Sequence, residues 1–235
     1  MIWRAILLIA LLADAPTSRP ANIDPALWQR MLDIDQRAAA ITDLTADFEQ
    51  QKFTAMLKKP LVSSGQIFVR GSAMLWDMRK PERNVLQITQ REARIYYPAQ
   101  KTIEVYAVQQ KLGQLAASPL PRLSVLQEHF TFEPLALAEM GEKDEAKFLA
   151  LRMTPTQAEL REHVEQVRVL LDAQQGLIVR LEMRDPDGDR TLLVFSNVKK
   201  NVGLKDEQLM IAAPGDVKIT RPLAALEEEP QDRRK

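Results

Sequence analysis

Cysteine is absent from this chain of 235 residues, which excludes disulfide bonds, zinc–thiolate sites, thiol nucleophiles and a lipid attached to cysteine. Only two histidines are present, His129 and His163, and their separation in sequence argues against a shared metal site or a catalytic base. The chain has no G-x-S-x-G, H-E-x-x-H or phosphate-binding glycine motif. We therefore expect a protein that is not an enzyme and that needs no metal or cofactor.

An excess of charge of either sign is also missing, because Lys+Arg and Asp+Glu both number 32. A chain without a net field has no general attraction to nucleic acid, so no nucleic-acid partner is expected. Hydrophobic residues make up 46% of the chain, which is enough to bury a sizeable core. We expect one domain over residues 22–222, present as a monomer.

A long hydrophobic run is lacking as well. The apolar stretch over residues 5–13 has nine residues, whereas a helix that spans a bilayer needs about 20. It follows Arg4 and precedes the small residues Ala13 and Ala15, so residues 1–21 are predicted to be a secretory signal peptide. Pro16 leaves the cleavage point open, and a buried N-terminal strand or helix is the alternative. Residues 223–235 are predicted to be a disordered charged tail.

An amphipathic helix is predicted near the start of this domain. Asp24 is a good N-cap, and Pro25 suits the first helical position. Apolar residues then recur every three or four positions, which places them on one face of a helix. These residues are Leu27, Met31, Ile34, Ala38 and Ile41.

In most of the remaining chain, apolar and polar residues alternate over short stretches that end at glycine, proline or other turn residues. This pattern predicts strands. The period changes to that of a helix over residues 110–117 and 123–130, which are separated by Pro119 and Pro121. The predicted strands cover residues 44–57, 64–70, 73–78, 84–89, 93–97, 102–108, 148–153, 164–171, 177–184, 191–198 and 208–212.

The strand at residues 177–184 shows how this sheet is covered. Leu177, Val179, Leu181 and Met183 share one face, whereas the other face carries mainly charged residues. An antiparallel sheet with one wet face and one dry face is expected, and the dry face must be covered by the predicted helices. Residues 185–189 resemble the start of a calcium loop but lack its final glutamate, so they are predicted to form a hairpin turn.

Several short motifs in a fixed order resemble the LolA family of periplasmic lipoprotein carriers. Phe48-Glu49-Gln50 matches an F-x-Q strand opening, and Gly65, Arg70 and Trp76 match a glycine, an arginine and an aromatic position. The remaining matches are Pro81, Tyr96-Tyr97-Pro98, Asp187-Gly188, Phe195-Ser196-Asn197, Asn201 and residues 213–217. The resemblance covers roughly residues 34–219.

This resemblance implies an unclosed antiparallel β-barrel, which is a strongly curved sheet with a helical lid over an apolar cavity. It also implies a periplasmic carrier, or chaperone, that binds the acyl chains of lipoproteins and moves them from the inner toward the outer membrane. The implied partners are lipid-modified proteins, an inner-membrane lipoprotein-releasing transporter and an outer-membrane acceptor. A LolA-like sensor, or a carrier of another acylated lipid or glycolipid, is the alternative, and a lipid enzyme is a third possibility without a visible nucleophile–base pair.

The same resemblance implies roles for individual residues. Arg70 is expected at the cavity mouth as a lid latch that donates to backbone carbonyls of the lid helices, and a solvated strand arginine is the alternative. The other candidates are apolar or aromatic residues that could line an acyl-chain cavity or simply pack in a filled core. These are Phe68, Met74, Leu75, Trp76, Tyr96, Tyr106, Leu112, Leu115 and Leu126.

Overall fold

Twelve strands form one open sheet in the described part of the chain. The computed structural model describes residues 19–20, 23–107 and 118–222. The strands are β1 (Asp43–Phe53), β2 (Leu61–Arg70), β3 (Ala73–Lys80), β4 (Asn84–Ile88), β5 (Glu92–Tyr97), β6 (Thr102–Ala107), β7 (Phe130–Pro134), β8 (Phe148–Pro155), β9 (Gln166–Asp172), β10 (Leu177–Arg184), β11 (Arg190–Lys200) and β12 (Lys218–Thr220).

The strand order across the sheet is β12-β6-β5-β4-β3-β2-β1-β11-β10-β9-β8-β7. All neighbouring pairs are antiparallel except β12 and β6. The central pairing of β1 with β11 brings the two halves of the chain together, because these strands are far apart in sequence. Within the described residues the sheet begins with β12 and ends with β7, so the predicted unclosed antiparallel barrel is confirmed as an open, curved sheet.

Helix α1 (Pro25–Ala39) covers one face of the sheet, which we call the inner face. The Asp24 side chain caps this helix, as predicted, by accepting from two backbone amides of its first turn. The buried stripe consists of Trp28, Met31, Ile34 and Ala38, so Trp28 rather than Leu27 completes it. Each large apolar side chain buried in this way stabilises the fold by about 1.5–3 kcal/mol.

The opposite, outer face is covered by two loop segments rather than by helices. Residues 201–220 cross strands β2 to β6 and end in β12, and they pack Ile211, Ala213 and Val217 against an outer cluster. Residues 135–141 cover β8 and β9 through Met140. The sheet therefore has an apolar layer on both faces, so a strand residue can be buried whichever face its side chain occupies.

Several predictions of local structure differ from what is observed. The predicted helix at 123–130 is only one turn, α2 (Leu123–Leu126), because Phe130 starts strand β7 and pairs with Pro155. The predicted strand at 208–212 is instead a 3₁₀ turn (Asp206–Leu209) followed by an extended segment. The predicted strand at 44–57 ends at Phe53. Strands β7 and β12 and the one-turn helix α3 (Ala158–Arg161) were not predicted. The predicted helix at 110–117 lies outside the described residues, as do residues 1–18 and the tail.

The hairpin turn at residues 185–189 is confirmed, since the Asp185 backbone N–H donates to the Asp189 carbonyl between β10 and β11. Over the described residues, no group of three acidic or histidine side chains is placed to hold a metal ion. None of the helices in the described part of the chain is both long and apolar enough to cross a membrane.

Candidate functional site

The centre of the inner face is lined by aromatic and methionine side chains. Trp76 on β3 is fully buried, and its ring meets the edge of Phe48 on β1 with the centroids 4.7 Å apart. Phe195 on β11 pairs with Phe48, and its ring centroid lies 6.0 Å from that of Trp76. Met74 and Met78 flank Trp76 on β3 and are also buried. Large rings and unbranched, polarisable methionines together form an apolar surface that can repack around a guest.

Helices α1 and α2 cover this surface and are joined by one carboxylate. Asp35 on α1 accepts from the backbone N–H of Leu123 at 2.8 Å and of Ser124 at 2.7 Å, and from the Ser124 hydroxyl at 2.6 Å. Asp35 thereby caps the first turn of α2, although the two helices are far apart in sequence. Burial of this carboxyl raises the pKa of Asp35 above its ordinary value, and the three donors oppose that shift.

The same cover is tied by hydrogen bonds to the β8–β10 side of the sheet. Arg30 on α1 donates to the carbonyl of Glu145 at 2.5 Å and to that of Phe148, at the start of β8, at 2.7 Å. The backbone N–H of Ile178 on β10 donates to the carbonyl of Pro119, just before α2, at 2.7 Å. Charged and backbone groups thus hold the edge of a cover whose inner surface is apolar.

A glycine allows the close approach between α1 and the turn joining β9 to β10. Gly176 has a φ of +70°, and a Cβ placed there would lie 2.7 Å from the backbone nitrogen of Ala38. Any side chain at this position would therefore push the end of α1 away from the sheet. Positive φ adds a second cost, since residues with a Cβ rarely adopt it.

The predicted cavity residues lie on both faces of the sheet. Met74, Trp76 and Leu126 belong to the inner core, and Tyr106 packs against it. Phe68, Leu75 and Tyr96 belong to the outer cluster under residues 201–220. The reason is the two-residue period of a strand: Met74, Leu75 and Trp76 are consecutive, so they cannot all face the same side. Leu112 and Leu115 lie outside the described residues.

Arg70 also lies on the outer face, because it follows Phe68 by two residues on β2. It donates to the carbonyl of Leu204 at 2.7 Å and forms an ion pair with Asp206. These partners belong to the segment after β11, whereas the predicted partners were carbonyls of the lid helices at residues 110–130. Within the described residues Arg70 therefore holds the outer segment, because the sheet separates its side of β2 from α2. Residues 110–117 lie outside the described part, so the latch role stays a prediction.

Two tyrosines share a carboxylate on the inner side of β5 and β6. The hydroxyls of Tyr97 and Tyr106 donate to Oε2 of Glu104 at 3.3 and 2.7 Å. Burial and the neighbouring carboxylate raise the pKa of Tyr97 to about 12 and raise the pKa of Tyr106 as well. Both phenols therefore remain donors at neutral pH. The sequence analysis noted both tyrosines but not Glu104. Its carboxylate reaches Tyr97 only because β5 pairs with β6.

Gln50, like Glu104, was not predicted to be a site residue and appeared in the sequence only as part of the F-x-Q motif. It follows Phe48 on the inner side of β1 and is only 2% exposed. Among the described residues, neither its Oε1 nor its Nε2 has a hydrogen-bond partner, and the same holds for Nε1 of Trp76. Its position in the F-x-Q motif is the only sequence signal, because alternate residues of a strand share a face.

Comparison with known families agrees with this architecture. Residues 39–211 match the family described as outer membrane lipoprotein carrier protein LolA, and the chain belongs to that family. A comparison with curated protein sequences found no significant match.

Solved structures that align with this chain share little sequence with it. An uncharacterized conserved protein from Thermus thermophilus aligns over 83% of this chain and 99% of its own, with 13% identity and a TM-score of 0.54. A LolA superfamily protein from Nitrosomonas europaea aligns over 78% and 97%, with 11% identity and a TM-score of 0.41. The Mycobacterium tuberculosis lipoprotein LppX aligns over 78% and 99%, with 10% identity and a TM-score of 0.43. The similarity to the Thermus thermophilus protein concerns the fold alone.

Proposed function

We propose that this protein is a periplasmic carrier that binds the acyl chains of lipid-modified proteins and moves them from the inner toward the outer membrane. Its membership of the LolA family supports binding of lipids or lipoproteins in general. The observation that supports acyl-chain binding is the apolar inner face, centred on Phe48, Trp76 and Phe195, beneath a cover of two helices.

The free energy of transfer fits such a role. Each methylene removed from water contributes about 0.8 kcal/mol, so a long acyl chain gains on the order of 10 kcal/mol in an apolar site. In the present state Met74 and Trp76 are at most 1% exposed, so the inner face is closed to solvent. Cargo can reach it only when the cover moves or the side chains repack. Because the cover is held by few polar contacts, such as those of Arg30 and Asp35, the free energy of acyl-chain transfer can offset its displacement.

The carrier acts by binding rather than by bond cleavage, and it works as a monomer in the periplasm after removal of the predicted signal peptide. It receives cargo from an inner-membrane lipoprotein-releasing transporter and delivers it to an outer-membrane acceptor. The chemistry of the inner face recognises an acyl chain and would also accept a glycolipid or another acylated compound of similar length. A sensor that detects such acyl compounds would use the same surface.

The test is a competition experiment with the purified protein. An environment-sensitive apolar fluorophore is bound first, and a peptide with an S-palmitoyl cysteine is then titrated against it. The palmitoylated peptide should displace the fluorophore, and the same peptide without the acyl group should not. Equal displacement by both peptides, or by neither, contradicts the acyl-carrier function. Release of free palmitate during the experiment would instead indicate an enzyme.

A further inference from the structure

A polar amide lies at the boundary between apolar and polar residues of the inner face. On β1, the inner positions before Gln50 are Leu44, Ala46 and Phe48, all buried in the core. Directly opposite Gln50 on β2 is Ser63, and the next inner pair along the sheet is Lys52 with Thr191. Gln50 therefore stands where the apolar part of the face ends and the polar part begins.

Among the described residues this amide has no hydrogen-bond partner, which is unusual because buried amides in folded proteins are almost always hydrogen-bonded. The indole N–H of Trp76 is also without a partner among the described residues, and Trp76 is 0% exposed. The Phe48 ring contacts Trp76, and Gln50 is two residues after Phe48 on the same inner side of β1, a rise of about 7 Å. Gly65, which pairs with Phe48 on the intervening strand β2, has no side chain to separate the rings.

We propose that the buried amide of Gln50 forms a subsite for the carbonyl group of an acyl ester or amide. The inference rests on the proposed acyl-carrier function and makes it more specific. The amide Nε2 of Gln50 donates to the carbonyl oxygen, and Oε1 of Gln50 accepts from an amide or hydroxyl of the cargo. The hydrocarbon then lies along Phe48 and Trp76, and the headgroup lies toward Lys52.

This subsite predicts a preference that a plain hydrophobic cavity lacks. An acyl carbonyl satisfies the Gln50 donor, which has no partner among the described residues, whereas an ether-linked chain of the same length leaves it without one. The probes are 1-palmitoylglycerol and 1-O-hexadecylglycerol, two neutral lipids that differ only in the carbonyl. The wild-type protein should bind the ester about tenfold more tightly than the ether, which corresponds to one to two net hydrogen bonds.

The decisive variant is Gln50→Met, which keeps an unbranched side chain of similar length and removes the amide. The melting temperature without ligand should rise by about 2–8 °C, because an unpaired buried amide is removed. The ester should lose its advantage while the affinity for the ether is unchanged. The matched control is Gln51→Met, one residue along on the outer side, where Gln51 donates to Glu49. It should leave the ester preference intact.

Each other outcome contradicts the subsite. A lower melting temperature for Gln50→Met means that a buried water already satisfies the amide. A higher melting temperature with an unchanged ester preference means that the amide does not contact the cargo. If the wild-type protein binds ester and ether equally, the carrier function stands and the subsite is wrong. If it binds neither lipid, nor the palmitoylated peptide, the proposed function itself fails and the subsite with it.

Discussion

Asp35 should control how readily the cover over the inner face opens. Its carboxylate accepts from the backbone N–H groups of Leu123 and Ser124 at the start of α2, with distances of 2.8 and 2.7 Å. Asp35→Ala removes that acceptor and the bond to the Ser124 hydroxyl. The change should loosen α2 from α1 and leave the sheet unchanged.

The size of the effect follows from opposing contributions. Hydrogen bonds to a charged acceptor contribute about 1.5–3 kcal/mol each, and loss of an N-cap costs about 0.5–2 kcal/mol. The variant also avoids burying a carboxylate, and the raised pKa of Asp35 shows that this burial is unfavourable. A net loss of about 1–3 kcal/mol is expected, which lowers the melting temperature by roughly 3–10 °C.

Opening the cover should also change cargo binding, because the apparent affinity rises with the population of the state that can bind. If the closed state loses about 1–3 kcal/mol of stability relative to the open state, the open population rises by about five- to a hundred-fold. The affinity for a palmitoylated peptide should rise with it. The control is Asp33→Ala, on the same helix, where the carboxylate contacts Gln29. An unchanged melting temperature for Asp35→Ala, or weaker cargo binding in a folded variant, contradicts this account of the cover.

Three further predictions concern pH, the α1 contact and Arg70. Because burial raises the pKa of Asp35, the folded protein takes up this proton first as the pH falls, so acid favours the folded state of the wild type. The melting temperature of the wild type minus that of Asp35→Asn should therefore increase as the pH falls from neutral to about 4. A difference that does not change with pH would contradict the raised pKa of Asp35. Gly176→Ala should lower the melting temperature more than Gly188→Ala, where φ is also positive but nothing lies within 4 Å. Arg70→Leu should lower the stability by about 1 kcal/mol and increase hydrogen exchange around Leu204, whereas protection lost in α2 instead would favour the lid latch.

Much of the fold could be predicted from the sequence because its local signals are strong. The cap at Asp24, most of the alternating strands and the turn at residues 185–189 depend on neighbouring residues, and they occur where they were predicted. The strand predicted at residues 208–212 does not form. Strand β7 was missed because Phe130 continues the helical spacing of Leu123 and Leu126. Only the pairing with β8 shows that Phe130 and Phe132 alternate within a strand.

The site could be predicted less well, because it depends on which face of the sheet each residue occupies. Both faces of this sheet are covered, so apolar character does not distinguish an inner residue such as Trp76 from an outer one such as Leu75. The partners of Asp35 and Arg70 are long-range contacts, and no local pattern specifies them. Gln50 was overlooked because a glutamine in a strand is ordinarily a solvated residue.

The most direct test of the central claim is to locate the bound acyl chain. A peptide carrying a palmitoyl group with a photoreactive diazirine on the chain is bound, irradiated and mapped by mass spectrometry. We expect the label on inner-face residues, above all Met74, Trp76 and Met78, and we expect an excess of unlabelled palmitoylated peptide to prevent it. Label on the outer cluster around Phe68 and Leu75, or label that the competitor does not reduce, would contradict acyl binding at the inner face.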